Sequence, residues 1–162
     1  EILEGIRSRC RADFMVGVRL SPERFGMQLS EVTAMAQALM SGGQIDFLDM
    51  SLWDVFKEPE EEDFKGRSLM SYFTELDRGN TRLGVAGKIR TPAEADAAIV
   101  QGVDWIMLGR AAILHHDFPA QYASNAEFTP VELPVPRDYL AGEGLSQKFV
   151  DYMAGWPGFV EG

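Results

Sequence analysis

The stretch VDWIMLGRAA, residues 103–112, is an apolar run that ends in Gly109 and Arg110, at the point where a helix can begin. Short apolar runs that end at a glycine predict buried strands, and Ala111 and Ala112 open a stretch of good helix formers. A strand that passes through glycine into a helix points backbone N–H groups at an anion. A Gly-Arg pair at a strand end also serves packing alone in many proteins, so the rest of the chain must decide between the two.

Three more strand-and-helix pairs precede this stretch. The predicted strands are residues 14–20, 45–50 and 82–86, and the predicted helices are residues 30–41, 68–79 and 91–102. The helical spacing of the first helix predicts one buried stripe, formed by Val32, Met35, Ala36, Leu39 and Met40. A capping box with proline at the first helical position begins the third helix, which Gly102 ends. Its predicted buried face contains Ala95, Ala98 and Ile99.

Alternation along the first strand separates its two faces. Val16, Val18 and Leu20 share one face, which suits a covering helix, and Arg19 points to the other side. Gly17 lies beside Arg19 on that second face and leaves it room. We therefore expect Arg19 to stand at the end of the strand on the face without the helix.

Four strand-then-helix units in succession predict parallel pairing through right-handed crossovers, so the fold class is α/β. Two architectures fit: a doubly wound open sheet, and part of an eight-stranded β/α barrel. Both bind polar ligands at the carboxyl ends of their strands. Arg19, Gly87, Lys88, Gly109 and Arg110 all lie at predicted carboxyl ends, and we expect them to converge on one face.

Composition limits the class of partner. The chain has 162 residues, 46% of them hydrophobic, and a formal charge of −10 without a Lys/Arg cluster, which argues against nucleic acid. No apolar run approaches the roughly 18 residues of a membrane span, and the first residues lack the pattern of a signal peptide. The single Cys10 excludes an internal disulfide and a thiolate metal cage. We expect a cytoplasmic protein with a small-molecule substrate and no membrane partner.

Three segments together resemble the C-terminal half of the Old Yellow Enzyme family, the FMN-dependent NADH:flavin oxidoreductases. They are VGVRLSP at residues 16–22, VAGKIRTPAEADAAI at 85–99 and VDWIMLGRAAI at 103–113. The resemblance covers residues 1–122 and implies the C-terminal half of a TIM (β/α)8 barrel, with a tail over residues 123–162. Glu1 matches the helix before the family's fifth strand, so we expect a fragment of a longer protein.

The resemblance implies an FMN site with NADH or NADPH as reductant. Arg19 corresponds to the arginine that faces flavin N1 and the C2 carbonyl, where negative charge gathers on reduction. Two further turns correspond to those that hold the FMN phosphate through backbone N–H groups. Their residues are Ala86, Gly87 and Lys88 after the seventh strand and Gly109 and Arg110 after the eighth. Many family members have paired small residues in the first turn, so the Lys88 side chain is an alternative phosphate contact here.

The family's catalytic residues lie elsewhere. The groups that bind the substrate carbonyl and the tyrosine that donates a proton belong to the N-terminal half, so we expect no catalytic residue in this chain. His115 and His116 follow the eighth strand, and we expect both on the surface. Without Cys or carboxylate neighbours at ligand spacing they predict no metal site.

Other segments carry weaker signals. The acidic run at residues 57–66 predicts a solvated loop, with a lid at the substrate entrance as the alternative. Asp49 and Ser51 end the second predicted strand, where turn and cap roles are expected rather than catalysis. Residues 124–144 show no periodic stripe. From Leu145 onward helical spacing returns, in a helix that docks on its own barrel or on a neighbouring subunit; the residues with that spacing are Leu145, Phe149, Tyr152 and Met153.

Three functions are compatible with these features. The first is hydride transfer from NAD(P)H through FMN to an α,β-unsaturated carbonyl, by a parent enzyme of which this chain is the cofactor half. The second is a half-barrel that binds flavin or phosphate and catalyses nothing, and the third is a barrel enzyme for a sugar phosphate. Arg19 separates the first from the third, because only a flavin needs it. Four strands cannot close a barrel, so we expect a homo-oligomer or association with an N-terminal half-barrel.

Overall fold

The strands form one parallel sheet in chain order. A computed structural model describes residues 1–162, and its strands are β1 (Gly17–Leu20), β2 (Phe47–Ser51), β3 (Arg82–Ala86) and β4 (Trp105–Met107). Each strand pairs in parallel with the next one along the chain. A doubly wound sheet reverses its strand order at a switch point, and these four strands show no reversal, as expected for neighbouring strands of a β/α barrel. The fold is α/β, and the sheet is consistent with half of a TIM barrel.

Helices follow the strands and form the C-terminal part. They are α1 (Ile2–Arg7), α2 (Leu29–Ser41), α3 (Ser71–Thr74), α4 (Pro92–Val100), α5 (Arg110–Leu114), α6 (Phe118–Ser124), α7 (Arg137–Gly142) and α8 (Gln147–Ala154). A 3-10 turn covers Glu62–Phe64. Even α2, the longest at 13 residues, lacks the length and apolar character that a bilayer crossing requires.

The chain divides into two compact units. The first contains Glu1–Lys88 and Ala97–Met107, and therefore all four strands; the second contains Ile89–Asp96 and Leu108–Gly162. The domain boundary predicted after residue 122 stays a prediction.

Local sequence signals predicted most of the strands and helices of the sheet region correctly. β3 has the predicted bounds, whereas β1 and β2 begin later than predicted. The capping box of α4 is confirmed, since Glu94 N donates to Thr91 Oγ1 at 3.2 Å and Thr91 N donates to Glu94 Oε2 at 3.0 Å. Gly102 follows the helix with a φ of +98°, a conformation that favours glycine.

The buried stripes of α2 and α4 are narrower than the helical periodicity of the sequence predicted. Val32, Ala36 and Met40 of α2 are buried, but Met35 is 48% exposed. In α4, Ala95 and Ala98 are buried while Ile99 is 44% exposed. The predictions for Met35 and Ile99 were wrong because the buried stripe of each helix covers fewer positions than the spacing allows.

The helix predicted over residues 68–79 is the clearest difference in local structure, because only Ser71–Thr74 form α3. The amide of Gln37 explains where it stops. Its Nε2 donates to Asp77 O at 2.8 Å, and its Oε1 accepts from Asp77 N at 3.2 Å. Both backbone groups of Asp77 are thereby bound to a side chain and are not available to a longer helix.

The tail has its own hydrophobic core within the second unit. Its buried members are Leu114, Val135, Leu140, Val150, Met153, Phe159 and Val160. Ser146 caps α8 by accepting from Phe149 N. The buried face of α8 carries Val150 and Met153, while Phe149 and Tyr152, predicted on that face, are exposed. α7 lies in a stretch that showed no periodicity, and the tail core buries its Leu140.

Candidate functional site

One face of the sheet is open and polar at its carboxyl end. In the parallel register, Arg19 pairs with Asp49, Asp49 with Gly84, and Gly84 with Trp105. We call the side of the sheet that carries this row the Arg19 face. Residues of β2 and β3 that alternate with the row are fully buried on the opposite face: Leu48, Met50, Leu83 and Val85. The predicted alternation of β1 places Arg19 correctly on the less covered side.

Two side chains of β2 hold the Arg19 guanidinium. Its Nε lies 3.2 Å from Asp49 Oδ2, and its Nη2 donates to Ser51 Oγ at 3.1 Å. Arg19 is 54% exposed, whereas the Asp49 side chain is only 7% exposed. The Nε and Nη2 edge of the guanidinium therefore faces β2, and the remaining nitrogen, Nη1, makes no hydrogen bond within the chain.

The roles predicted for Asp49 and Ser51 were wrong, because these residues cap no helix and bind Arg19 instead. Asp49 is a buried carboxylate whose Oδ1 has no hydrogen-bond partner. Burial raises the pKa of Asp49, and the positive charge of Arg19 offsets this rise only in part. Sequence reasoning missed the pair because the two residues lie on different strands. The signal that could have found it is that Arg19 and Asp49 are each the next-to-last residue of consecutive predicted strands, which parallel pairing brings side by side.

Two aromatic rings lie over glycines on the Arg19 face. A Cβ atom on Gly84 would lie 2.1 Å from Trp105 Cε2, and a Cβ atom on Gly17 would lie 2.1 Å from the Phe47 ring. The two rings meet edge to face, with centroids 5.6 Å apart. The room that Gly17 was expected to leave for Arg19 is therefore occupied by Phe47.

An open cavity of about 1220 Å³ extends along this face toward the amino-terminal ends of the strands. Asp49, Phe47 and Trp105 line it, and Arg19 does not. None of the predicted site residues lines this cavity, and Asp49 is its only link to Arg19. The carboxyl ends remain the better candidate for polar chemistry, because the charged side chains and the unusual backbone conformations are found there.

Strained backbone marks the loops after three strands. Four residues other than glycine have left-handed φ values, which are uncommon and concentrate at functional sites. They are Glu23 and Phe25 after β1, at 59° each, Trp53 after β2, at 63°, and Lys88 after β3, at 52°. The Arg24 guanidinium also lies over the Trp53 ring, 4.7 Å from its centroid. Such strain persists only where the surrounding structure enforces it.

The turn after β3 packs closely on the segment after β2. A Cβ atom on Gly87 would lie 2.7 Å from Asp54 N, so only glycine fits, and Gly87 O accepts from Val55 N at 3.2 Å. Ala86 O accepts from Leu52 N at 2.8 Å. Lys88 Nζ lies 3.1 Å from Asp54 Oδ2, so its ammonium group already has an anionic partner. The phosphate role expected of these turn residues stays a prediction.

The ion pair between Lys88 and Asp54 changes the titration of the carboxyl group. Burial works to raise the pKa of Asp54, but hydrogen bonds from Lys88 and from the backbone N–H of Phe56, together with the Lys88 charge, bring it below its usual range. Asp54 is therefore ionised at neutral pH and keeps Lys88 in place.

Gly109 and Arg110 belong to the second unit, where Gly109 directly precedes α5. A Cβ atom on Gly109 would have open space around it. Burial and the charge of Arg90 lower the pKa of Arg110. Sequence reasoning missed Arg90, whose signal was its place in the turn that follows β3. Two neighbouring guanidinium groups favour an anion between them, and the convergence of this turn with residues 86–88 stays a prediction.

The acidic run is anchored rather than simply solvated. Lys57 Nζ lies 2.9 Å from both Glu23 Oε2 and Glu60 Oε1. Glu61 accepts a hydrogen bond from Leu29 N, at the start of α2. Glu58 and Glu62 are exposed, as expected of a solvated loop, and the contacts of Lys57 and Glu61 in addition tie this loop to the loop after β1 and to α2.

The two histidines differ. His116 is exposed as predicted, but His115 is only 6% exposed, and its Nε2 accepts from Val131 N at 2.9 Å. Nδ1 of His116 lies 2.7 Å from Glu143 Oε2, so a carboxylate neighbour does exist, 27 residues further along the chain. Ligand atoms of His116, Asp117 and Glu143 lie within 4.8 Å of one another. The expectation of no carboxylate neighbour was wrong because it considered sequence spacing alone.

We expect the stabilising effect of the pair between His116 and Glu143 to depend on pH. The hydrogen bond with Glu143 raises the pKa of His116. Burial works to raise the pKa of Glu143, but its hydrogen bonds with His116 bring that pKa below the usual range. The histidine contribution is lost as pH rises through its raised pKa, and the carboxylate contribution is lost as pH falls through its lowered pKa.

Thermal unfolding of the wild type and His116→Gln at a series of pH values measures the pH range in which the pair stabilises the protein. The difference in Tm should be largest between about pH 5 and pH 6.5, and should disappear well above the histidine pKa. The control is His116→Gln in a Glu143→Gln background, where the pH dependence should be absent. A difference in Tm that is constant from pH 4 to 9 would contradict the pairing.

Comparison with known proteins gives one distant relative. No family model matches the chain. The chain is similar to a Bacillus subtilis (strain 168) protein named "Probable NADH-dependent flavin oxidoreductase YqiG", with 25% identity over 130 residues. The matched region covers 78% of this chain and 35% of the relative, so the chain spans about a third of that protein's length. This distant similarity agrees with the resemblance found in the three segments and supports a flavin oxidoreductase function in general terms.

Proposed function

We propose that this chain is the cofactor-binding half of an FMN-dependent oxidoreductase of the NADH:flavin oxidoreductase type. The reductant would be NADH or NADPH, and the substrate an α,β-unsaturated carbonyl or a similar electrophile. The observation that carries the proposal is the Arg19 guanidinium, fixed by Asp49 and Ser51 at the open end of a parallel sheet. The resemblance of three segments and the distant relative support the same class of enzyme.

The residues on the Arg19 face fit a flavin. The pyrimidine edge of the ring offers a nitrogen and carbonyl oxygens as hydrogen-bond acceptors, and a guanidinium is a planar donor that matches such an edge. Nη1 of Arg19 is free to donate, and more than half of the side chain is exposed. A sugar phosphate needs no such cation beside the sheet, which makes the flavin the better match.

Bound FMN would supply the chemistry of hydride transfer. The part of this chain would be to bind and orient the cofactor. Arg19 would stabilise negative charge on the ring through a group that is already in position. Backbone N–H groups of the two turns would hold the phosphate, the turns being formed by Ala86, Gly87 and Lys88 and by Gly109 and Arg110. We propose that the proton donor and the carbonyl-binding residues lie outside this chain, in an N-terminal half-barrel or a partner subunit.

An equilibrium titration of the chain with FMN, followed by visible absorption, tests the proposal. Arg19→Gln is expected to weaken FMN binding at least about tenfold, because a hydrogen bond from a charged donor contributes about 1.5–3 kcal/mol. Arg11→Gln is the matched control, since it removes the same charge from an exposed pair with Asp13 and should leave the affinity unchanged. Inorganic phosphate should compete with FMN in all variants.

The outcomes separate the alternatives. FMN binding that Arg19→Gln leaves unchanged would contradict the assigned ring site. Binding of inorganic phosphate without a preference for FMN would favour a sugar-phosphate enzyme. If neither binds to the chain, the same titration with the full-length parent protein decides whether the site needs the rest of the barrel or the flavin assignment is wrong.

A further inference from the structure

Asp49 is a buried carboxylate that is paired with Arg19. Its side chain is 7% exposed, and its only charged partner is Arg19 Nε at 3.2 Å. Asp49 also borders the open cavity, but a ligand at the end of β1 meets the exposed guanidinium first. We therefore expect Asp49 to act on such a ligand through Arg19.

Stability alone does not explain a carboxylate at this position. Asp49 Oδ1 is buried without a hydrogen-bond partner, which is a cost in folding free energy. Apolar residues that replace buried ion pairs are often neutral or stabilising. A carboxylate kept for structure would be expected to satisfy both of its oxygens, so the arrangement suggests a role in placing the arginine.

From this geometry we propose that Asp49 is a positioning residue that acts through Arg19. It orients the guanidinium and sets how much positive charge the Arg19 face presents to the pyrimidine edge of a bound flavin. Ser51 is the second anchor of the same edge, without a charge of its own. This inference rests on the proposed function, and it adds the residues that determine the relative affinity for oxidised and reduced flavin.

The charge part of the inference has a definite sign. Asp49→Asn removes a negative charge behind Arg19 but keeps an oxygen that can accept from Nε. The reduced flavin is the more negative form, so the ratio of its affinity to that of oxidised FMN should rise about tenfold. For a two-electron couple a tenfold change equals about 30 mV, here toward a more positive midpoint potential.

The orientation part is tested without any change of charge. Ser51→Ala removes one anchor of the guanidinium and leaves every charge in place. It should weaken FMN binding several-fold while the ratio of the two affinities stays as in the wild type. Asp13→Asn is the control for charge, because it removes a carboxylate from the exposed pair with Arg11 and should change neither quantity.

A double-mutant cycle shows whether Asp49 acts through Arg19. The shift in potential caused by Asp49→Asn should vanish when Arg19→Gln is already present. An equal shift in both backgrounds would overturn the inference, because it would mean that Asp49 acts on the flavin directly. No shift in either background would also overturn it.

One measurement needs no flavin, so failure of the inference can be told from failure of the proposed function. Carbon NMR of the Asp49 carboxyl group in the free chain should show a higher pKa in Arg19→Gln than in the wild type. An unchanged pKa would overturn the coupling, whatever the flavin does. If the NMR measurement succeeds but FMN binds neither to the chain nor to the full-length parent protein, the coupling stands while the flavin role and the proposed function are both rejected.

Discussion

Phe73→Ala is expected to lower the free energy of unfolding by about 3–5 kcal/mol, the usual cost of removing a buried aromatic ring. Phe73 is fully buried, although the helix to which it belongs, α3, has only four residues. A helix this short contributes little stability of its own, so its position depends on the burial of Phe73. Amide hydrogen exchange of β2 and β3, which lie in the same unit as Phe73, measures this loss without assuming that the two units unfold together.

Met35→Ala is the control for this prediction. Sequence periodicity places Met35 in a buried stripe, but the structure leaves it 48% exposed on α2 in the same unit. Truncation of an exposed side chain should change the free energy of unfolding by no more than about 0.5 kcal/mol. If the two variants lose similar stability, the arrangement of α2 and α3 described here is wrong.

Leu140→Ala is expected to cost about 2–5 kcal/mol and to loosen the tail core of the second unit. Leu140 is fully buried in α7 among residues that include Val150 and Met153 of α8. Its removal leaves a cavity where the two helices meet. A chain with two compact units need not unfold in one step, so amide hydrogen exchange of α7 and α8 is the measurement of choice.

Tyr152→Ala provides the comparison within α8. Tyr152 follows the helical spacing on which the tail helix was predicted, yet it is 57% exposed and its ring contacts only Phe149 and Trp156 among aromatic groups. Its truncation should leave the exchange rates of α7 nearly unchanged. Fast exchange throughout the tail in both variants would contradict the division of α8 into a buried and an exposed face.

Several elements followed from short-range signals in the chain. The capping box of α4 formed as predicted because Thr91 and Glu94 are three residues apart and need no other part of the protein. β3 has its predicted bounds because the apolar run and the residues on either side of it indicate the same first and last residue. The end of α3 could not be predicted, because the amide of Gln37 that stops it lies 40 residues away along the chain.

The candidate site and its surroundings likewise contain features that were predictable from the sequence and features that were not. Alternation along β1 was enough to assign Arg19 to the open face of the sheet. The buried state of His115 and the partner of His116 were not predictable, since they depend on Val131 and on Glu143. Both contacts join the end of α5 to segments that come much later in the sequence.

Two architectures, and so two strand orders, remained open from the residues alone. The parallel α/β class and the place of Arg19 at a strand end, by contrast, were predictable. These features follow from periodicity and from signals a few residues apart. The folded chain alone shows that Asp49 and Ser51 hold Arg19, that Asp54 engages Lys88, and that one Asp49 oxygen has no hydrogen-bond partner. Each of these contacts joins neighbouring strands or the loops after them, and no local pattern specifies which side chains will meet there.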